Sequence, residues 1–286
     1  MMKRWWWAVL AAAGLLGSSG PVHAQLIRTY TGETVGDGFG FRVVNAGDLD
    51  GDAVEDLIVS AFLHTGPLGS DQGKLYLYAG ADGSLIDTID GPEASSWFGT
   101  GLSASRDINF DGVHDIFVGA PLGNHVYLYD GATRTLLASA PGEGGGVGFD
   151  VEMIGDLDGD AIPDGLVSAP NYGTTGNNGR IYAPSTATAL PIYTITGAGG
   201  GPPSYGESLG TDMAPIGDVD GDGVEDFVAG AAAYSLPLPS DGYEGRAYIY
   251  SGVDGTQITF FQGSDSYTYL GSAVAGLGDL QGDGYA

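Results

Sequence analysis

The chain has 286 residues and a formal net charge of −27, with 52 glycines and no cysteine. This charge argues against nucleic-acid binding, because affinity for phosphates comes mostly from cations. The absence of cysteine excludes disulfides and thiolate metal sites. So many glycines disfavour a helical fold, since each interior glycine costs a helix about 1 kcal/mol, and 43% hydrophobic residues argue against disorder. The composition predicts an acidic, glycine-rich, all-β chain.

The first 24 residues have the layout of a secretory signal peptide. A basic start is followed by a nearly apolar run over 5–16 and by Val22-His23-Ala24, which is typical of a small-residue cleavage site. Twelve helical residues span only about 18 Å, less than the ~30 Å hydrocarbon core of a bilayer, so cleavage is favoured over a membrane anchor. We therefore expect residues 25–286 to be exported, to the extracellular space or the cell envelope, without a membrane span.

One acidic motif occurs five times in the sequence. Its first aspartate falls at positions 48, 107, 156, 218 and 279, at intervals of 59, 49, 62 and 61 residues. An apolar residue followed by glycine stands nine residues before each of these aspartates, as in Phe98-Gly99, and a small pair such as Gly119-Ala120 follows each complete motif. Self-similarity at such a period indicates a solenoid or a propeller. We place the repeats at about 33–90, 91–140, 141–196, 197–261 and 262–286, the last being partial.

Short apolar or alternating runs bounded by turn residues predict strands in each repeat. These runs cover 57–59, 116–118, 166–167 and 227–229; then 74–80, 125–131, 180–183 and 246–252; and finally 84–90, 135–140, 192–196 and 256–261. A single sheet of about four such strands cannot bury both of its faces, whereas sheets stacked radially can. The sequence therefore predicts an all-β propeller with one four-stranded blade per repeat.

Two segments depart from the simple repeat. Residues 26–32 (LIRTYTG) look like the fourth strand of a repeat, although they precede the first apolar-glycine pair. A propeller can close by letting a terminal strand complete its last blade, and we expect 26–31 to pair with a blade whose other strands lie beyond residue 286. Ala183-Pro184 stands where the other repeats continue a strand, so we expect the third blade to be irregular.

Side chains with oxygen ligands occupy positions 1, 3, 5 and 9 of each complete acidic motif. Alternate side chains of a tight turn can converge on one point, and the carbonyl oxygen of position 7 can add a fifth ligand. Flexible, all-oxygen coordination suits Ca²⁺ better than Mg²⁺, and the gathered carboxylates would repel one another without a cation. The predicted ligands are Asp48, Asp50, Asp52, Val54 and Asp56; Asp107, Asn109, Asp111, Val113 and Asp115; Asp156, Asp158, Asp160, Ile162 and Asp164; and Asp218, Asp220, Asp222, Val224 and Asp226.

The fifth motif is cut off by the end of the sequence. It offers Asp279 and Asp283, but Gln281 stands at position 3 and there is no position 9. We therefore expect about four calcium sites, with the fifth in doubt. Because no disulfide is available, we expect these ions to stabilise the fold.

Three other interpretations of the motifs are less favoured. A solvated acidic turn needs no fixed register of carboxylates, yet the register holds in four copies. An EF-hand needs a glutamate at position 12 and flanking helices, whereas position 12 is valine or alanine here and the flanks are glycine-rich. The stretch 206–210 matches the G-x-S-x-G elbow of hydrolases, but no histidine follows Ser208. No catalytic residue is predicted, and we expect the chain not to be an enzyme.

The apolar-glycine pair, the D-x-D-x-D-G-type loop and triplets such as Gly119-Ala120-Pro121 resemble FG-GAP repeats, the units of the integrin α-chain N-terminal propeller, which also occur in secreted bacterial proteins. The resemblance covers about 26–286. It implies a seven-bladed propeller with the calcium loops on a lower face, between the first two strands of each blade. It also implies that ligands bind to the opposite face.

The resemblance and the residues together favour a secreted calcium-binding scaffold for binding or adhesion. Two alternatives stay open: an accessory propeller of a larger secreted hydrolase or lyase whose catalytic part lies beyond residue 286, and a carbohydrate-binding lectin. The partner is expected to be a protein or a glycan on the face opposite the calcium loops. Aromatic side chains in or beside the loops of that face are Trp97, Tyr172, Tyr205, Tyr234, Tyr243, Tyr267 and Tyr269.

Overall fold

The computed structural model describes residues 28–173, 176–198, 206–236 and 242–278. These residues form sixteen strands in four antiparallel four-stranded sheets and contain no helix. The predicted signal peptide (1–24) and the end of the fifth repeat (279–286) lie outside the described residues.

Each sheet takes its four strands from one repeat, in chain order. The first sheet contains β1 (Phe39–Asn45), β2 (Leu57–Ala61), β3 (Lys74–Tyr78) and β4 (Leu85–Asp90). The second contains β5 (Leu102–Ser103), β6 (Ile116–Ala120), β7 (His125–Tyr129) and β8 (Leu136–Pro141). The third contains β9 (Val151–Ile154), β10 (Asp164–Ala169), β11 (Arg180–Pro184) and β12 (Pro191–Thr196). The fourth contains β13 (Met213–Gly217), β14 (Asp226–Ala231), β15 (Arg246–Tyr250) and β16 (Gln257–Gln262).

Apolar side chains fill three seams between consecutive sheets. In the first seam, Ile58 and Leu75 of the first sheet share a buried cluster with Ile116 and Tyr127 of the second. The other two seams are built in the same way. The first strands contact one another in succession, β1 with β5, β5 with β9 and β9 with β13, so they lie innermost. This radial stacking is that of propeller blades, and it confirms the predicted fold class.

The apolar-glycine pairs have a structural explanation. Phe98 and Leu209 are completely buried in the seams. The glycine of each pair has a φ between +85° and +89°, a region that favours glycine. In the second, third and fourth blades its amide donates to the small pair at the end of the second strand, as from Gly99 to Gly119 O at 3.0 Å. A Cβ on Gly119 would lie 1.9 Å from a backbone oxygen of the next blade, which explains why that pair is small.

The third blade is regular, so the expectation of an irregular one was wrong. Strand β11 runs through Pro184 and pairs with β12, with a register shift between Ala183 and Pro184. The same shift occurs at the corresponding place in the other three sheets. Proline is tolerated at such a bulge because its missing N–H is not needed for a ladder hydrogen bond.

The N-terminal segment lies against the first blade. The Tyr30 ring packs on the Tyr78 ring with centroids 4.4 Å apart, and the Arg28 guanidinium donates to the carbonyl oxygens of Gly80 and Ala81. Residues 28–32 form no strand in the described part of the chain. The pairing of 26–31 with a later blade stays a prediction.

A cavity of about 50 Å³ lies in the seam between the second and third sheets. Its walls include Ala138 and Ala140 of β8 and Pro184 of β11. The positions in β12 that correspond to these alanines hold Tyr193 and Ile195. The smaller side chains therefore leave space that larger ones fill in the next seam.

Charged side chains meet where the innermost strands converge. Arg42 of the first blade pairs with Asp150 of the third at 2.7 Å and with Asp212 of the fourth at 3.5 Å. In the connections between first and second strands, Arg106 of the second blade pairs with Glu225 of the fourth at 2.7 Å. These two ion-pair groups connect sheets that share no seam.

Arg42, Asp150, Glu152 and Asp212 form an axial cluster, in which two carboxyl groups are hard to ionise. Burial raises the pKa of Asp150 to about 7, against the attraction of Arg42, and raises the pKa of Glu152 to about 8. The Ser103 hydroxyl donates to Glu152 Oε2 at 3.0 Å. Because both pKa values exceed their ordinary values, the folded chain retains these protons to higher pH than the unfolded chain. Their contribution to stability is complete below about pH 4 and is lost as the pH rises to about 8.

Glu152→Gln keeps the neutral shape of the side chain and removes its titration. We expect the variant to melt at least about 2 °C above the wild type at pH 9, with the difference shrinking towards pH 5. Differential scanning calorimetry across pH 5–9 measures this difference. Glu93→Gln, at an exposed position, is the control and should show no such trend. A constant difference between Glu152→Gln and the wild type across the range would contradict the assignment.

Candidate metal centres

Each complete acidic motif forms the loop between the first and second strands of its sheet. The loops connect β1 to β2, β5 to β6, β9 to β10 and β13 to β14. Because the strands are antiparallel, all four loops lie at the same end of the blades. The connections between second and third strands lie at the opposite end.

The aspartate at position 1 closes its loop by accepting backbone amides. Asp48 Oδ1 accepts from Gly51 N at 2.7 Å, and Asp48 Oδ2 accepts from Ala53 N at 2.8 Å. Asp156 and Asp218 repeat both contacts. Hydrogen bonds led by that from Ala53 lower the pKa of Asp48, so this carboxylate is charged at neutral pH.

The aspartate at position 9 is completely buried and joins the loop to another part of its blade. Asp56 Oδ2 accepts from Leu49 N inside the loop at 2.7 Å, and Asp56 Oδ1 accepts from Gly80 N after the third strand at 2.8 Å. Asp115, Asp164 and Asp226 make the corresponding pairs of hydrogen bonds. Burial raises the pKa of Asp164 to about 6. The position-9 carboxylate therefore has a structural role besides any role as a ligand.

Three of the four loops gather carboxylates from positions 1, 3 and 9. Within each group, one oxygen from each residue lies within 4.8 Å of the others. The groups are Asp48, Asp50 and Asp56; Asp156, Asp158 and Asp164; and Asp218, Asp220 and Asp226. All donors are carboxylate oxygens, which suit hard divalent cations. Each group could hold a metal ion.

Position 5 lies outside these groups. Asp52, Asp160 and Asp222 each accept the backbone amide of position 7 at 2.8–2.9 Å. Their role as ligands stays a prediction, as does that of the position-7 carbonyl oxygens. Asp279 and Asp283 lie outside the described residues.

The second loop differs from the others. Asn109 stands at position 3, and its Nδ2 donates to Asp111 Oδ2 and to Asp130 Oδ2, both at 3.1 Å. Asp130 follows the third strand of the blade and was not found by sequence reasoning. The signal was present, because the corresponding residues of the other repeats are Ala79, Ser185 and Ser251.

The aromatic residues predicted on the opposite face have different surroundings. Tyr172 and Tyr234 are each covered by a guanidinium, from Arg180 and Arg246, at 3.6 Å from the ring centroid. Tyr267 and Tyr269 are 58% and 44% exposed.

The remaining rings of this set pack on aromatic neighbours. Tyr243 stacks near both exposed tyrosines, with ring centroids 5.4–6.0 Å apart. Trp97 packs edge-on against Phe62, which in turn contacts the exposed ring of Phe41. Tyr205 lies outside the described residues.

The G-x-S-x-G match has a structural explanation. Leu209 is completely buried, and Glu207 accepts the Tyr248 hydroxyl at 2.6 Å. These residues thus belong to the seam and its rim, as the apolar-glycine pattern predicts.

Comparisons with known proteins agree with this architecture. The model of the FG-GAP repeat matches residues 98–134 and 210–250, which lie within the second and fourth repeats. The second and fourth repeats are therefore similar to FG-GAP repeats. The matched segments begin at Phe98 and at Gly210, each within an apolar-glycine pair, and each segment includes an acidic loop.

Integrin alpha chains are similar to this chain over part of their length. Integrin alpha-2 of Mus musculus is 32% identical over 51% of the chain and 14% of its own length. Integrin alpha-5 and integrin alpha-4 of Xenopus laevis are 28% and 27% identical over 74% of the chain, and 21% and 22% of their own lengths. The chain thus spans about a fifth or less of these relatives.

A solved structure described as the Dos1 propeller matches with a TM-score of 0.46 and 17% identity, over 72% of this chain and 44% of that one. Among the described residues, no helix is long and apolar enough to cross a membrane.

The two kinds of loop aspartate should respond differently to substitution. Asp226→Asn replaces one of the two acceptor oxygens by an amide nitrogen, so one buried backbone amide loses its acceptor. We therefore expect the melting temperature to fall by about 5 °C or more, with or without metal. Asp220→Asn, at the exposed position 3 of the same loop, should lower it only when metal is present. Thermal melts in calcium and in chelator measure both. Equal effects of the two substitutions in chelator would contradict the structural role of position 9.

Proposed function

We propose that the chain is an exported, calcium-loaded propeller that presents one face to a binding partner. The observation that carries the proposal is the repeated convergence of carboxylates from positions 1, 3 and 9 at one end of the blades. Flexible, all-oxygen coordination is the preference of Ca²⁺, and extracellular sites with Kd near 10⁻⁴–10⁻³ M are filled where calcium is abundant. The predicted signal peptide supports export.

Calcium would act here as a structural ion. Asp48, Asp156 and Asp218 each accept a backbone amide, which fixes the orientation of these carboxylates within their loops. The ion would be held by the carboxylates of each group, and it would offset their mutual repulsion. No step of chemistry is assigned to it. This role agrees with the similarity to integrin alpha chains, and it favours a scaffold over an enzyme.

The face opposite the calcium loops is the proposed ligand surface. It carries exposed rings at Phe41, Tyr267 and Tyr269, and aromatic side chains are enriched where partners bind. A protein partner is the favoured ligand because the similar proteins are integrin alpha chains. A glycan would make the chain a lectin, and a catalytic segment beyond residue 286 would make it an accessory propeller.

Calcium should raise the melting temperature by mass action, because only the folded loops bind it well. A site held at 100 times its Kd contributes about 2.7 kcal/mol, so several sites should raise the melting temperature by about 5 °C or more. We expect EDTA to reverse the rise and magnesium at the same concentration to produce much less. Calorimetry in each condition measures this effect. Identical melting curves in calcium and EDTA would refute the calcium-loaded scaffold.

The position of the ligand surface can be tested by matched aromatic substitutions. For any protein or glycan captured in array binding experiments, Tyr267→Ala and Tyr269→Ala should each weaken binding about tenfold. Phe110→Ala removes a 64% exposed ring at the calcium end and should leave binding unchanged. Surface plasmon resonance measures the affinities. If Phe110→Ala abolishes binding and the tyrosine variants do not, the ligand binds the calcium end instead.

A further inference from the structure

Two residues in the second blade differ together from their counterparts. Position 3 of the acidic loop is Asn109 there, whereas the first, third and fourth loops have Asp50, Asp158 and Asp220. The residue directly after the third strand is Asp130 there, whereas the other blades have Ala79, Ser185 and Ser251. The blade that lacks a loop aspartate thus carries an additional aspartate elsewhere. The internal repeats provide three comparisons for this exchange within one chain.

The two exchanged residues are in contact. Asn109 Nδ2 donates to Asp130 Oδ2 at 3.1 Å, and Asp130 is 9% exposed. The fourth blade shows that this place borders the loop there too, because Ser251 Oγ donates to Asp222 Oδ2 at 3.3 Å. Asp130 therefore places a carboxylate against position 3 of the second loop from outside the loop.

The exchange preserves the charge around the loop. The first, third and fourth loops each contain four aspartates at positions 1, 3, 5 and 9, and the second contains three. Counting Asp130 restores four. A second carboxylate beside Asp50 or Asp220 would repel it, whereas an amide beside Asp130 donates a hydrogen bond. Affinity for Ca²⁺ depends on the number of charged ligands, so a neutral Asn109 alone would weaken the second site.

We propose that Asp130 is a positioning residue of a calcium site in the second loop. It holds the amide of Asn109 in a fixed orientation and supplies the negative charge that position 3 lacks. This inference rests on the proposed calcium-loaded scaffold and adds a residue to it. Carboxylates that orient a metal ligand in this way typically change metal affinity by about 10–100-fold when they are replaced.

Asp130 also has a local contact that the test must separate. Its Oδ1 accepts from Thr133 N at 2.7 Å, which stabilises the turn between β7 and β8. The fourth blade offers a matched control, because Asp254 Oδ1 accepts from Thr256 N at 2.9 Å in the corresponding turn. Asp254→Ser removes such a turn contact from an exposed residue whose side chain is not bonded to an acidic loop.

The experiment compares Asp130→Ser, Asn109→Asp/Asp130→Ser and Asp254→Ser in the full chain. The double variant gives the second blade the pattern of the third and fourth blades. Calcium affinities are measured by competition with a chromophoric chelator, and melting temperatures are measured in calcium and in EDTA. We expect Asp130→Ser to weaken one calcium site about tenfold or more and to reduce the calcium-dependent rise in melting temperature. The double variant should restore both, and Asp254→Ser should change neither.

Two results would overturn the proposal. One is unchanged calcium affinity in Asp130→Ser. The other is a drop in melting temperature that is the same in calcium and EDTA and is not rescued by Asn109→Asp, which would leave Asp130 a turn residue only. Failure of the underlying calcium scaffold is a separate outcome, because the wild-type chain would then bind no calcium at all.

Discussion

The buried carboxylate at the end of each acidic loop fixes the loop to its sheet, and the candidate metal centres depend on it. Asp56 and its counterparts accept one amide from the loop and one from the chain after the third strand. A charged group without such donors would be costly to bury. With them, the end of the loop is held in place, and the carboxylates of positions 1 and 3 are brought beside it. The ligand geometry is thus a consequence of hydrogen bonds made within the blade.

Much of this architecture could be predicted from the sequence because it is local and repeated. The apolar-glycine pair, the strand runs and the spacing of the aspartates each recur in every complete repeat. A pattern that occurs in one repeat by chance can therefore be recognised, because it is missing from the other repeats. Pro184 misled the prediction because the sequence does not reveal that a bulge occurs at that place in all four sheets.

Contacts between distant residues could not be predicted in the same way. Arg42 reaches Asp150 and Asp212 only because the innermost strands converge. Asp130 contacts Asn109 because strands β6 and β7 are antiparallel, so the chain comes back beside the acidic loop at the end of β7. Neither contact follows from periodicity. Comparing the repeats position by position does reveal the second, since Asp130 stands where the other blades have uncharged residues.

The acidic side chains of the protein occur in two different environments. At the loop end of the blades, the position-1 carboxylates accept several backbone amides, and the pKa of Asp48 is lowered. In the axial cluster, carboxyl groups are buried and the pKa of Glu152 is raised. The same residue types therefore stay charged in one place and retain protons in the other, because the environment and not the composition sets the cost of ionisation.

The three seams have similar structures, but side chains do not fill them equally. Ala138 and Ala140 leave a void in the seam between the second and third sheets. Voids eliminated on unfolding make the volume of the unfolded state smaller, so hydrostatic pressure favours their collapse. We expect hydrostatic pressure to loosen the packing between the second and third blades more than that in the other two seams, while the ion pairs of Arg42 and Arg106 connect blades across it.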